Sequence, residues 1–398
     1  MSLFKNFHLP AWLFAGVLFL FAGCGGSDDD SLIVVRLDAE TVNCNTTSNR
    51  IIAVGDAMTF VATILSQDVG DAWCSFSSFD TLIEPQFSKS GLVGVPMNLY
   101  LLRNETDQVR EALIRVTFAN GFSADLTLRQ GAFSPTADFD RQWGEQPFFR
   151  EGDTYIYKTY YTTLIRGGYV RNYSVCYDTQ KRVSHWVAYP LTRNYVEPAV
   201  TRTNAWSYDP NTQLPEIPVQ YQFNVANTYG TGDARGHQLP SADRYSNKET
   251  NAMTFYSTNI MPQNSDFNEG VWVDLENKIR DVRARNSRDT IFVVTGTYFA
   301  GNRYITARDG TRIGYPSNCW KVLLRGSGGK AVWDCSADEL YGIGFWFAND
   351  ASNTASLRSY ATSIADIERK TGFSFFRNLP AGTVDAVKAQ NRPSDWSL

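Results

Sequence analysis

The chain has three histidines, His8, His185 and His237, and the last stands among residues that could do chemistry with it. It lies in Asp233-Ala234-Arg235-Gly236-His237-Gln238-Leu239-Pro240-Ser241-Ala242-Asp243-Arg244, which reads as a strand ended by a proline-stopped turn. Side chains alternate along a strand, so Asp233, Arg235 and His237 are expected on one face. A guanidinium offers paired donors to a phosphate, and an imidazole neutral near pH 7 accepts a proton, so this pair suits an anionic substrate. Three histidines, one of them near the N-terminus, are too few for a multi-histidine zinc or copper centre. A metal here has to be hard and oxygen-bound.

A second group follows at once. Met253-Thr254-Phe255-Tyr256-Ser257 reads as another strand, then come Thr258-Asn259-Ile260-Met261-Pro262-Gln263 and a helix. Trp272, Leu275, Ile279 and Val282 are spaced three, four and three apart, one apolar stripe on a helix beginning near Asn268. Glu276 and Arg280, four apart, are neighbours on the flank of that stripe, and Asn268 lies in the first turn. The order strand, strand, helix lets these side chains face one pocket.

These elements need a platform. Tyr155 to Ile165, Tyr169 to Tyr177 and the run around Trp186-Val187-Ala188-Tyr189 suggest a central antiparallel sheet, with a further helix from about Thr362 to Lys370. Ahead of them, Leu32-Ile33-Val34-Val35, Met58-Thr59-Phe60-Val61-Ala62 and Leu113 to Phe118 are short β-type runs punctuated by Gly, Asn and Asp, which predicts a small β-sandwich over 32–131. Residues 132–150 mix Pro, Asp and aromatics without either period and read as a linker, leaving 151–398 as a second domain. The expected class is α+β.

In that order, Arg-Gly-His-x-x-Pro-Ser-Ala-Asp-Arg (235–244), Thr-Phe-Tyr-x-x-Asn-x-x-Pro-Gln (254–263) and Asn-x-Gly-x-Trp-x-x-Leu-Glu-x-x-x-Arg (268–280) resemble the DNA/RNA non-specific endonucleases. Val293-Val294-Thr295-Gly296, Cys319-Trp320-Lys321-Val322 and Ile367-Glu368 with Thr371 to Phe376 extend the likeness to about 150–380. The resemblance implies a ββα-metal fold. It also implies His237 as general base and Asn268 as the single protein ligand of a magnesium ion, with manganese able to stand in. Glu276 would act through metal-bound water, Arg235 and Arg280 would neutralise charge on the phosphate, and Asn259 would orient the site. One neutral amide ligand leaves a hydrated Mg²⁺ most of its charge for the phosphate. The implied partners are DNA and RNA, held through the phosphate backbone with little sequence preference. Two residues depart from the family pattern. Ala234 stands where Asp usually precedes Arg-Gly-His, and on a strand it should point away from the face of Arg235 and His237. Glu269 follows Asn268 where a basic or neutral residue is common. They support one other reading, a surface glycan-binding protein with an inactive nuclease-like domain. The stretch from Asn104 to Gln130 is similar to a BACON-type, immunoglobulin-like module, for which a glycan is the conceivable partner.

Composition bounds the rest. With 398 residues, 43% hydrophobic and 14% aromatic, the chain has ample apolar area for two cores, which excludes wholesale disorder. The net charge of -4 divides into -7 over 1–150 and +3 over 151–398, so a polyanion must be met by a local patch and not by bulk charge. Lys5 precedes an apolar run from Ala11 to Gly23, too short to span a bilayer and expected to be a signal peptide. Phe21-Ala22-Gly23-Cys24 resembles the lipobox of bacterial lipoproteins, which implies acylation at Cys24, an acidic tether over 25–31, a lipid-held membrane partner and an outer-membrane location. In an exported protein the five other cysteines permit bridges. Cys319 with Cys335 and Cys44 with Cys74 are the candidates, leaving Cys176 on a strand, although sequence alone fixes neither pairing.

Overall fold

The computed structural model describes residues 33–398 apart from 56, 69–71, 80–82, 134–144, 146, 148–151, 153, 165–167, 231, 287 and 378. The expected leader, Cys24, the tether and most of the linker therefore lie outside the described residues. The chain forms two compact units, Met1–Ser134 and Pro135–Leu398. Its architecture mixes sheets with few helices, as the α+β expectation requires.

Unit one is built from β1 (Val34–Leu37), β2 (Thr41–Val42), β3 (Ser48–Val54), β4 (Thr59–Gln67), β5 (Cys74–Ser75), β6 (Ser88–Leu92), β7 (Met97–Leu101), β8 (Arg110–Phe118) and β9 (Ser123–Gln130). They form a four-stranded sheet, β1-β3-β7-β5, and a five-stranded sheet, β2-β9-β8-β4-β6. Alternation explains the arrangement: Ile51, Ala53 and Leu99 from the first sheet and Phe60, Ala62, Ile114, Val116 and Leu128 from the second meet in one buried core. Gln130 closes this unit from within. Its amide donates to the carbonyls of Thr46 (2.9 Å) and Leu102 (3.1 Å) and accepts from Arg110 Nε at 2.9 Å.

In unit two, β10 (Tyr155–Leu164), β11 (Gly168–Asp178) and β12 (Val183–Leu191) are followed by α1 (Arg193–Val196), β13 (Asp233–His237), α2 (Lys248–Ala252) and β14 (Ile260–Asn264). Next come α3 (Ser265–Phe267), a π-helical turn over Asn268–Trp272, α4 (Val273–Arg285), β15 (Ile291–Tyr298), β16 (Tyr304–Thr306), β17 (Arg312–Gly314), β18 (Asn318–Gly326) and β19 (Leu340–Ala348). The chain ends with β20 (Ala361–Thr362), α5 (Ile364–Thr371) and α6 (Ala381–Lys388). The platform is a seven-stranded sheet of order β10-β11-β12-β15-β18-β19-β20, antiparallel at every joint. Both of its faces are covered. Val187, Tyr189, Val293 and Leu323 pack on one side with Trp272, Leu275, Ile279 and Val282 of the π turn and α4. Trp186, Ala188, Val294, Trp320 and Val322 pack on the other with Ile364 and Ile367 of α5 and Val387 of α6. Burial on both faces is why these strands read as near-continuous apolar runs. The stripe expected from Trp272 to Val282 is buried along its whole length.

Two expectations are corrected here. The second strand of the ββα group is Ile260–Asn264, not Met253–Ser257, which coils into short 3₁₀ turns at Met253–Phe255 and Ser257–Asn259. The five cysteines form no disulfide with one another. Cys319, near the start of β18, packs with Met261 on the α4 face of the sheet, while Cys335 packs on the opposite face beside Gly326, at the far end of the same strand. Seven residues of strand span about 23 Å, well beyond the Cα separation of under about 7 Å that a bridge needs. In unit one, Cys74 is paired with Leu101 inside the core, and the Cys44 thiol donates to Asn43 Oδ1 at 3.3 Å. Burial pushes the thiols of Cys74 and Cys319 up to about 12, which removes the reactive thiolate. Cys176 is buried on β11.

Candidate active site

The site is built on β13 and β14, which pair antiparallel in the register Asp233↔Asn264, Arg235↔Pro262 and His237↔Ile260. Position 236 leaves room for the Gln263 side chain: a Cβ on Gly236 would stand 2.0 Å from Gln263 Oε1. Asn264 ends β14 and caps the helical run, accepting from Phe267 N at 3.1 Å. Asn268 follows at the π turn. Gly270 there takes non-helical angles, so the turn kinks before α4 begins.

A cleft of about 490 Å³ opens between these elements, lined among others by Asp233, Ala234, Arg235, Asn268 and Glu269, with Arg202, Trp206 and Arg308 across from them. Among the described residues no hydrogen bond reaches the Asn268 amide. Arg235 donates to Val225 O at 3.3 Å, and its guanidinium lies 3.9 Å above the Trp206 ring. Ala234 lines the same cleft.

His237 lies next to the cleft but is covered. Its ring is 5.2 Å from Trp206 and 5.1 Å, edge-on, from Phe255, and its Nε2 is shielded from water with no hydrogen-bond partner. Burial first, then the charges of Arg202 and Arg235, hold its pKa down at about 3 against a favourable bond to the Arg235 carbonyl. The imidazole is therefore neutral at pH 7, the state a base needs.

Glu276 and Arg280 project from α4 toward His237's neighbours and do not line the cleft. Arg280 donates to Asp243 Oδ1 at 2.9 Å and to Asn277 Oδ1 at 2.7 Å, so its charge is matched by the acid of the Pro-Ser-Ala-Asp-Arg turn, and this pairing raises its pKa. The next residue, Arg244, is wholly buried and holds the sheet backbone through Asn172 O (2.8 Å) and Pro190 O (3.0 Å). Burial and the Asp243 charge raise the pKa of Glu276, opposed by Lys321, Arg280 and Arg202. Lys321 is buried beneath, its ammonium 4.3 Å from the Trp272 ring and donating to Thr295 Oγ1 at 2.7 Å. Asn259 touches no open space. Its amide donates to Leu239 O (2.9 Å) and Thr254 O (2.7 Å) and accepts from Leu239 N (2.8 Å), pinning the backbone just past His237.

Two contributors were not legible in the sequence, Arg202 and Trp206. They sit on a non-periodic stretch held by Asn251 Oδ1, which accepts from Thr203 N and Oγ1 at 2.9 Å each, and by a bridge from Ser207 to Tyr256. An arginine and a tryptophan four apart gave the only signal, and no element pattern surrounds them. Arg202 acts electrostatically on both His237 and Glu276, which places the two in one neighbourhood.

A paired β-ribbon feeding a helix, with arginine and a partnerless amide on one cleft and a histidine buried beside it, is the arrangement of a ββα nuclease. The family model for DNA/RNA non-specific endonucleases matches residues 152–382, more than half of the chain, and the chain belongs to that family. It is similar to a nuclease of Nostoc sp., 27% identical over 219 residues that cover 55% of this chain and 76% of that protein. A nuclease of Serratia marcescens is 27% identical over 230 residues, 57% of this chain and 80% of that one. The mitochondrial nuclease EXOG of Xenopus laevis is 27% identical over 218 residues, 52% of this chain, and the match spans only 57% of EXOG.

Proposed function

We propose that this chain hydrolyses phosphodiester bonds of DNA and RNA with little sequence preference, with a divalent ion at Asn268 and His237 as general base. The observation that carries the reading is an arginine-rimmed cleft holding an Asn268 amide that no hydrogen bond reaches among the described residues, with the neutral, unpartnered imidazole of His237 buried beside it under Trp206.

The donor set fits a hard ion that keeps most of its water. Asn268, Asp233 and Glu269 offer oxygen, and among the described residues no group of three or more His, Cys, Asp or Glu gathers as a ligand cluster. Bound there, magnesium, or manganese in its place, would supply Lewis acidity to the phosphate. The chain does the rest. Arg235 and Arg202 present donors to phosphate oxygens and offset their charge, which in a partly dehydrated cleft counts for more than in water. His237 takes a proton at Nε2, beside Trp206, and a base of this kind contributes roughly 10² to 10⁴ in rate. Asp243 holds Arg280, and so α4, against the turn that follows His237. Asn259 fixes that turn, a positioning role.

The N-terminal readings belong to the same proposal. They are a leader over 1–24 with lipid on Cys24, a tether over 25–31, a BACON-like sandwich over 32–131 and a nuclease domain over 151–398 on an outer-membrane lipoprotein. The lipobox-like run supports the anchor, and the paired sheets of unit one support the sandwich.

The test is digestion of plasmid and RNA by the purified chain with magnesium and then with chelator. Digestion that chelator stops is expected. His237→Ala should abolish turnover and leave magnesium affinity unchanged, while Asn268→Ala should weaken that affinity in a direct titration. A His237→Ala protein keeping about a tenth of the rate would remove histidine as the base, since a general base is worth at least about 10².

A further inference from the structure

Beyond the cleft, unit two carries a basic and aromatic surface that the chemistry above does not use. β16 and β17 form a two-stranded hairpin in the register Tyr304↔Gly314, Ile305↔Ile313 and Thr306↔Arg312. Arg303, Arg308 and Arg312 on it are all exposed, and Asp309 is the one acidic residue in 299–315. Other exposed arginines are matched, as Arg115 is by Asp125 at 2.7 Å and Arg129 by Glu111 at 2.7 Å, although Arg36, Arg202 and Arg288 are exposed without a carboxylate partner among the described residues. Among the described residues none of the three hairpin guanidinia meets a carboxylate. Two of them rest on aromatic rings instead: Arg303 lies 3.8 Å from the Tyr315 ring and Arg312 4.4 Å from Tyr304, with the Lys181 ammonium 4.7 Å from the same ring, while Arg308 donates to Asn227 Oδ1 at 3.3 Å. Stacking holds a guanidinium flat and leaves its in-plane N–H donors pointing outward, the geometry that takes phosphate oxygens in pairs.

The hairpin is joined to the cleft. Arg308 lines it and donates its backbone N–H to Thr228 O at 2.8 Å, and the Tyr315 hydroxyl donates to Asp233 Oδ1 at 2.8 Å. Unit two has almost no bulk charge to attract a polyanion, so a local cluster of this kind has to do it.

We propose that this hairpin is a phosphate track, in which Arg308, Arg312 and Arg303 take backbone phosphates of a nucleic acid strand that leaves the cleft. The proposal rests on the reading of the cleft as a nucleic acid site. It is tested by binding without cleavage: anisotropy of a fluorescein-labelled DNA duplex with the full chain in chelator, over about 50 to 200 mM salt. Each phosphate that the protein ceases to neutralise flattens the plot of log affinity against log salt by about 0.9, so an Arg303→Gln/Arg312→Gln double variant should flatten it by about 1.8. Adding Arg308→Gln should bring the flattening to about 2.7. Arg288→Gln, which removes an exposed charge beyond the far end of α4, should leave the slope as it was. Melting curves establish that each variant is folded. A double variant with wild-type slope and affinity would overturn the track while leaving plasmid digestion to judge the cleft. A wild-type chain that binds but never cuts would overturn the catalytic reading alone, and one that fails to bind would overturn both.

Discussion

At the scale of single residues the site turns on how His237 is kept neutral. The unfolded histidine takes a proton near its ordinary 6.5, whereas the folded one resists until about 3. Between those values the unfolded chain binds more protons, so falling pH removes stability across that window. His237→Gln should flatten that part of the curve of unfolding free energy against pH, measured by urea denaturation. Arg202 contributes to the depression, so Arg202→Gln should move the acid limb of kcat/KM to higher pH as well as lower the rate. An unmoved limb would detach Arg202 from the base. Trp206 covers the same ring, and Trp206→Ala should speed its modification by diethyl pyrocarbonate. The placing of Arg235 and His237 on one strand and of Asn268 at the turn before a helix was legible because that spacing survives without a structure. Arg202 and Trp206 were not, because they reach the site by tertiary contacts from a stretch with no period. The pairing of Arg280 with Asp243 was not legible for a related reason, since Asp243 lies 37 positions earlier on another element.

Elements explain why the spacing matters. In Arg-Gly-His the glycine serves the neighbouring strand, because Gln263 fills the space a side chain would need. Gly236→Ala should cost about 1 to 3 kcal/mol in chemical denaturation, as overpacking does, and should lower turnover by forcing β13 from β14. Helix α4 was readable from its apolar stripe, and β10, β11 and β12 from runs buried on both faces. The second strand of the ββα group was misplaced by a few residues because Met253-Thr254-Phe255 is apolar and β-prone yet spends its backbone on 3₁₀ turns. Asn259, buried at the end of those turns, decides the outcome by bonding Thr254 O and Leu239 O, which propensity does not register.

The chain has two compact units, and each should report its own stability. Ile114→Ala, in the fully buried centre of unit one, should destabilise that unit by about 2 to 5 kcal/mol and shift only one calorimetric transition, with plasmid digestion unchanged. A single transition moved as a whole would show the units to be energetically coupled. Two β-rich stretches and their rough extents could be read from the pattern of apolar runs, but cysteine pairing could not, since which face of a sheet a residue occupies is a property of the completed fold. The sealed thiols carry a consequence of their own. Cys44, Cys74, Cys176, Cys319 and Cys335 are buried and form no bridge with one another, so a thiol reagent should label them only as the chain unfolds. With no bridge among these five to form, a cytoplasmic expression host should yield the same melting curve as a periplasmic one.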